Sequence, residues 1–458
     1  ANGRSLALVV AAGSIITSLT LGARATFGLY LDPVVEELGT DRGMFSLAVA
    51  IQYIVWGLSQ PVAGAIADRF GSARVLAAGG VGYAAALLLM STADSAGMFY
   101  LSAGFLLGLA TGAASFSVVL AAVGRMAPPD KASIALGVVT AMGSVGQFLL
   151  IPTARALLDA TDWRTTVAAL AAVVILVAVL APAIRGRAVD QQGTTEGTGA
   201  DRRPLRAELR RAANSRSYLM LNAAFFVCGF HVTFIATHLV SYAGDEGVGG
   251  TPASTALALI GLFNIAGSLL AGYLGAKHSK TLLLSGIYGA RAVVITVFVL
   301  LPPTGVTVVV FGALIGLLWL STVPLTGGIV ASQFGTTHSG TLFGIVFLSH
   351  QVGAFIGVWS GGELADRAGT YDPVWWIAVG LGLAAAALHL LIDEGPVPEP
   401  PPAHEPAGRV VPAGRVAVLV LLLSVWGASR QHAVADRVGA QPVAEQTPIY
   451  CTLHPVAI

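Results

Sequence analysis

The chain has 458 residues, of which 55% are hydrophobic and only 11% charged, and its mean hydropathy is +0.77. A water-soluble domain carries roughly 25% charged residues, so this chain lacks the polar side chains to coat a water-facing globule. A formal charge of +1 exerts no bulk pull on nucleic acid, and two cysteines (Cys228, Cys451) cannot build a disulfide framework. The class that remains is a polytopic helical membrane protein.

A spanning helix needs about 20 mostly apolar residues. In chain order such runs lie near 6–31, 43–66, 74–92, 97–124, 131–158, 164–184, 217–243, 252–276, 281–301, 305–332, 339–364 and 373–393, which predicts twelve spans. The first run continues past the length of a signal-peptide core to Asp32-Pro33, so it reads as a span rather than a cleaved leader. Pro61, Pro152 and Pro324 fall within spans and predict kinks. Residues 185–216 carry Gly, Thr and charge without an apolar run and read as a linker. The basic stretch Arg202–Arg216 sets topology and has the composition of a short amphipathic helix at an anionic leaflet. Beyond Asp393-Glu394 the pattern breaks: 396–406 is proline-rich, Val416–Trp426 is too short to span, and 427–458 has no periodicity. The predicted fold is therefore an all-α membrane protein. Two six-helix bundles (1–184 and 217–393) flank a linker (185–216), and a disordered tail follows (394–458).

Lys and Arg in the short loops set orientation. With the N-terminus inside, the inner segments hold fifteen of them: Arg4, Arg69, Arg74, Arg125, Lys131, Lys277, Lys280 and eight arginines of the linker. The outer loops hold three, Arg42, Arg164 and Arg367. Both termini are expected in the cytoplasm.

The two bundles read as copies. At a constant offset of 207 residues Gly22 pairs with Gly229, Arg24 with His231, Thr26 with Thr233 and Phe27 with Phe234. The same offset pairs Gly137 with Gly344, Val139 with Val346, Gly146 with Gly353, Phe148 with Phe355 and Asp159 with Asp366. One register over separate spans implies two related bundles with a path between them.

After the second span the chain reads Gly64-Ala-Ile-Ala-Asp68-Arg69-Phe-Gly71-Ser-Ala-Arg74. This matches the G-x-x-x-D-R-x-G signature of the major facilitator superfamily. Locally, Gly64 would let a neighbouring helix approach, and Asp68 would accept from an Arg or from helix N-terminal amides to latch an inner gate. The second copy, Gly272 to Lys277, has Ala276 in place of the carboxylate.

The stretches FGLYLDPVVEELGTDRGMFSLA, GLSQPVAGAIADRFG, FHVTFIATHL, VPLTGGIVASQFG and LADRAGTYDPVWW resemble the bacterial monocarboxylate and oxalate/formate porter group over roughly residues 6–393. Those porters move small carboxylates, often with a proton or by exchange. The resemblance implies a cation near Arg24. The acid and arginine usual in the eighth helix of monocarboxylate transporters are replaced by Asn264 and Ser268. The lysine of the eleventh helix of oxalate/formate porters is replaced by His350.

A charge within the hydrocarbon is costly unless it faces a cavity or a partner, so intramembrane polar residues are the site candidates. Arg24 heads them: no buried carboxylate is visible in its span, and a guanidinium binds a carboxylate through a two-pronged fork. The competing reading is a snorkelling or structurally paired arginine. His231, related to Arg24 by the repeat, and His350 are weighed against satisfied core histidines, the commoner case for a lone buried imidazole. Asn264 and Ser268 share a helix face, as do Gln52 and Trp56; buried amides more often glue helices together. Tyr53, Gln147 and Trp319 are weaker candidates, and Arg291 and His238 read as structural.

No metal, nucleotide or nucleophile motif is present, so no catalytic residue, metal or cofactor is expected and the chain is not read as an enzyme. The reading is a secondary transporter of a small organic anion, a monocarboxylate by preference, working by alternating access with a proton as candidate co-substrate. The expected setting is a bacterial inner membrane, with the chain a monomer in lipid and no nucleic-acid partner. The alternatives are efflux of amphipathic compounds, which Arg24 without a buried acid disfavours for cations, and a receptor or scaffold without flux. The repeat further predicts that Arg24 and His231 face one central space, so that bound anion would favour protonated His231.

Overall fold

Twelve helices long and apolar enough to cross a membrane follow one another in the described part of this computed structural model, residues 6–185, 205–335 and 338–397. They are α1 (Leu6–Leu29), α2 (Arg42–Ala67), α3 (Ser72–Ser91), α4 (Ala96–Met126), α5 (Ile134–Ala160) and α6 (Trp163–Ile184). The second set is α7 (Arg216–Asp245), α8 (Gly250–Gly275), α9 (Lys280–Leu300), α10 (Gly305–Phe334), α11 (Ser339–Ala368) and α12 (Asp372–Leu390). Residues 186–204 of the linker and 398–458 of the tail lie outside the described residues.

Short polar residues start several helices where the sequence places a turn. Asp41 accepts from the Met44 amide at 2.7 Å and Asp162 from the Thr165 amide at 2.8 Å. Thr304 and Thr307 cap α10 reciprocally. Each cap satisfies an amide that the first helical turn cannot use.

The packing repeats between the two sets. In the first, α1 lies against α5, α2 against α4 and α3 against α6; in the second, α7 lies against α11, α8 against α10 and α9 against α12. Across the sets α2 meets α11 and α5 meets α8. The glycines paired by the 207-residue offset make this possible. A Cβ on Gly146 would fall 2.1 Å from the Ser18 carbonyl oxygen of α1. One on Gly353 would fall 1.9 Å from the Phe226 carbonyl oxygen of α7. With little hydrophobic drive between helices in lipid, such close backbone approach is what holds them together.

Two spans are broken at related depths. In α4 the α-helical segment Leu107–Ala113 ends and Phe116–Met126 begins after Ser115. In α10, Gly305–Leu317 ends and Thr322–Phe334 begins, leaving Leu318 to Ser321 non-helical. Pro324 explains the second break, since it has no N–H to give the Leu320 carbonyl four residues earlier. The kink expected at Pro324 is thus a full interruption just before it. Pro61 and Pro152 stay inside continuous helices.

The ends of the bundle differ. At the Arg42 end, Arg42 donates to both carboxylate oxygens of Asp245, at 2.5 and 2.7 Å, and its ion pair with Asp32 measures 3.2 Å. The Gly43 amide donates to Asp366 at 2.7 Å, and the Arg42 guanidinium lies 5.5 Å from the Tyr371 ring centre. At the linker end, a Cβ on Gly64, Gly137, Gly272 or Gly344 would meet no atom within 4 Å. Gly64 therefore does not serve here the close approach expected of it.

The remaining gate-motif residues have local partners. Gly71 stands at φ 96 and ends α2 with its amide on the Ala67 carbonyl at 2.8 Å. Arg69 stacks on Phe70, 5.2 Å from its ring centre, and Arg74 donates to the Phe70 carbonyl at 3.4 Å. The side chain of Asp68 lies outside the described set.

The chain does not leave the bundle at residue 394, where a tail was expected. Glu394 accepts from the Ser279 hydroxyl at 2.5 Å and from the Thr281 amide at 2.8 Å, capping the start of α9. The Val397 amide donates to the Gln333 carbonyl at 3.1 Å, and Arg211 of the linker helix Leu205–Asn214 donates to the Val397 carbonyl.

Candidate functional site

A cavity of about 30 Å³ lies between the two sets of helices. Arg24, Phe27 and Gly28 line it from α1, Gln52 and Tyr53 from α2, and Gln147 from α5. Val232, Ala236 and Thr237 of α7 and Trp319 of the α10 break complete the wall. The volume holds a water or two and falls far short of the ~300 Å³ at which ligand pockets begin, so a substrate enters only if the walls part.

Arg24 is half-buried and sits against two neighbouring aromatic rings of α2. Its guanidinium carbon is 5.0 Å from the Tyr53 ring centre and 4.9 Å from that of Trp56, and Nη1 donates to the Tyr53 hydroxyl. Cation–π contact stabilises a desolvated guanidinium by about 2 kcal/mol, which offsets part of the cost of its depth. The buried Nε has no partner, and no carboxylate pairs with Arg24 among the described residues. The Tyr53 bond thus holds one prong of the guanidinium, while Nε stays unpartnered.

Gln52 is buried against the same cavity with its Nε2 unpartnered, and the Trp56 indole N–H is likewise unpartnered. Gln147 donates to the Leu257 carbonyl at 3.2 Å, tying α5 to α8 beside the cavity. Tyr53, the partner of Arg24, is only a weak candidate from the sequence, yet it lines the cavity beside Gln52.

His231 turns away. Its Nε2–H donates to the Ala378 carbonyl of α12 at 2.7 Å, and Phe230 flanks the ring 6.3 Å away. The coupling expected between Arg24 and His231 is therefore not formed: they lie on different faces, with α7 between His231 and the cavity. The copied register gives equal depth, but Arg24 reaches the cavity with a long side chain, while a short imidazole follows the direction of its own Cα–Cβ bond.

His350 also packs within the second set of helices. It stacks on Phe347 at 5.5 Å between ring centres, and its Nδ1–H donates to Gln351 at 3.1 Å. Gln351 in turn donates to the Tyr53 carbonyl at 3.2 Å, one step from Arg24. Asn264 is fully engaged: its Nδ2 donates to the Ser144 hydroxyl at 2.9 Å, and its Oδ1 accepts from the Leu320 amide at 2.9 Å and from Ser268 at 3.2 Å. Neither Asn264 nor Ser268 lines the cavity. His238 is structural, bonded to the Val358 carbonyl at 2.9 Å and the Tyr371 hydroxyl at 3.1 Å. Among the described residues no cluster of three or more His, Cys, Asp or Glu could hold a metal.

Two repeated six-helix sets, a broken span beside a central cavity and a lone guanidinium in its wall define the architecture of a solute transporter. The Major Facilitator Superfamily profile matches residues 13–358 and 265–435, and the chain belongs to that superfamily. It is similar to the uncharacterized MFS-type transporter YcxA of Bacillus subtilis, 28% identical over 357 residues covering 76% of this chain and 85% of that protein. It is also 26% identical over 354 residues to the uncharacterized MFS-type transporter YhjX of Escherichia coli, covering 75% and 84%. Monocarboxylate transporter 13 of Rattus norvegicus is 22% identical over 382 residues, covering 83% and 87%.

Proposed function

We propose that this superfamily member carries a small organic anion, a monocarboxylate by preference, across a bacterial plasma membrane, with Arg24 as the anion site. The observation that carries the reading is the half-buried Arg24, set against Tyr53 and Trp56 on the wall of the central cavity with its Nε unpartnered. A desolvated cation without a carboxylate favours an anionic ligand, and the Nε edge matches the two oxygens of a carboxylate. Gln52 and the Trp56 indole offer further donors. Likeness to relatives named as monocarboxylate transporters supports the same substrate class.

In this reading the loop arginines and lysines put both termini in the cytoplasm, which makes the Arg42 end the outer one. The bonds from Arg42 to Asp245 and from Gly43 to Asp366 hold that end shut. Alternating access would break them while the linker end closes, with the Gly64–Arg74 loop and Asp68 as its latch. Neither His231 nor His350 lines the cavity, so both leave the proposed coordination set, as do Asn264 and Ser268; the anion site stands without an imidazole relay. The test is uptake by proteoliposomes of labelled acetate, pyruvate, benzoate and oxalate, with and without a pH gradient. Saturable uptake of at least one, abolished in Arg24→Ala, is expected. Uptake of none of them, or undiminished uptake in a folded Arg24→Ala protein, would refute the assignment.

A further inference from the structure

The break in α10 is held by two side chains that do not line the cavity. On one side, Arg291 of α9 is buried and donates from Nε to the Leu318 carbonyl at 3.0 Å and from Nη2 to the same oxygen at 2.5 Å; Nη2 also donates to the Trp319 carbonyl. These carbonyls follow the end of a helix and have no partner within it. On the other side, Asn264 of α8 accepts the Leu320 amide on its Oδ1. Trp319 is the residue between, and it lines the same cavity as Arg24.

Asn264 has a second engagement. Its Nδ2 donates to Ser144 of α5, on the other set of helices. One planar amide thus has one end fixed by the opposite set and the other end fixed to the break. Rotating the amide to follow Ser144 moves Oδ1 away from Leu320, so both bonds persist only for one placement of α5 against α8. A Cβ on Gly261 would lie 2.9 Å from the Ser144 carbonyl oxygen, so the two backbones already touch at this depth.

We propose that Asn264 and Arg291 are positioning residues for Trp319, and that the Ser144–Asn264 bond makes the closure of Trp319 over the cavity depend on how the two sets of helices meet. Arg291 is the fixed side of the clamp and Asn264 the side that releases. When the Arg42 end parts, α5 moves relative to α8, Asn264 loses its anchor, and the break is free to carry Trp319 off the cavity. The wall that encloses the anion is thereby opened by the same motion that exposes the site. This inference rests on the central cavity being the transport site, but its test needs no substrate.

The experiment is acrylamide quenching of Trp319 fluorescence in the purified full chain in lipid nanodiscs, without any carboxylate. The chain has seven tryptophans, so each signal is taken as the difference from the matching Trp319→Phe protein. Ser144→Ala should raise the quenching constant about two-fold, because the coupling is between groups in direct contact. Arg42→Ala should also raise it in the otherwise native chain, and should add nothing in the Ser144→Ala background. Asn264→Ala should raise it as well, since it removes both the Ser144 and the Leu320 bonds. Ser144→Ala removes one hydroxyl and keeps the test available where Asn264→Ala does not fold. Unchanged quenching in folded Ser144→Ala, or additive effects of Arg42→Ala and Ser144→Ala, would overturn the relay. That outcome with normal carboxylate uptake would leave the Arg24 site intact, while failed uptake with the expected quenching would sink only the substrate assignment.

Discussion

Replacing Arg24 by lysine separates the fork from the charge. The guanidinium lies within 5.0 Å of the ring centres of both Tyr53 and Trp56, with one nitrogen on the Tyr53 hydroxyl and Nε without a partner. A carboxylate on that edge takes two charge-assisted hydrogen bonds, each contributing about 1.5–3 kcal/mol. Lysine keeps the charge but offers a point donor on a flexible stem, so one of the two bonds is lost. The expected cost is about 1.5–3 kcal/mol, or roughly 10- to 150-fold in affinity. Arg24→Ala removes both bonds and leaves the anion unpaired in a desolvated site, for a loss of about 2–5 kcal/mol or more. The assay is carboxylate affinity from concentration-dependent uptake in proteoliposomes, with thermal melting of the detergent-solubilised proteins as a folding control. Affinities in order native, Lys, Ala, at similar melting temperatures, are expected. A folded Arg24→Ala protein within two-fold of the native affinity would refute the reasoning, and a lysine variant as weak as alanine would show that the two-pronged fork outweighs the charge.

On the proposed reading of the Gly64–Arg74 loop as a latch that biases the equilibrium between states, Asp68→Asn should slow turnover while leaving substrate affinity nearly unchanged; equal turnover at matched expression removes Asp68 from the mechanism. Burial alone would raise the Glu394 carboxyl, but the Ser279 and Thr281 hydrogen bonds and the nearby Lys280 outweigh it and hold it below the usual carboxylate range. A carboxyl depressed in the folded state contributes stability that is present above its unfolded value, near 4.3, and is lost as pH falls through the folded value. Glu394→Gln should therefore melt earlier than the native chain at pH 7, by about 1 kcal/mol, and the gap should close as pH falls below about 4; a gap independent of pH sinks this account. Gly353→Ala places a Cβ 1.9 Å from the Phe226 carbonyl oxygen and should destabilise by about 1–3 kcal/mol in a denaturation series. Gly344→Ala, with no atom within 4 Å, should be neutral or slightly stabilising through helix propensity, by at most about 1 kcal/mol; equal losses at both sites would contradict the packing argument.

Much of the fold was legible before any tertiary structure. A bilayer demands about 20 apolar residues per span, so composition and run length alone yield twelve. The copied halves were legible as well, because close helix approach in lipid requires glycine. The pairs Gly22/Gly229 and Gly146/Gly353 sit where α1 meets α5 and α7 meets α11. Arg24 stood out because a cation in hydrocarbon needs a reason.

Which way each candidate faces was decided only by packing. In α7 buried residues run through nearly every position from Phe230 to Ala243, so no polar stripe marks one side. An apolar helix buried all round carries no facing information in its periodicity, and the neighbours set its rotation. That is why His231 could share the depth of Arg24 yet bond Ala378 on α12. Asn264 and Ser268 looked like ligands because a buried amide and hydroxyl need partners. The partners are the Leu320 amide and Ser144, which come within reach only once α10 breaks ahead of Pro324 and α5 docks on α8. The sequence by itself determined how many helices there are, how deep each polar residue lies and that the two halves are copies. Rotation, which turns equal depth into contact or separation, is a property of the helix neighbours, and those exist only in the packed chain.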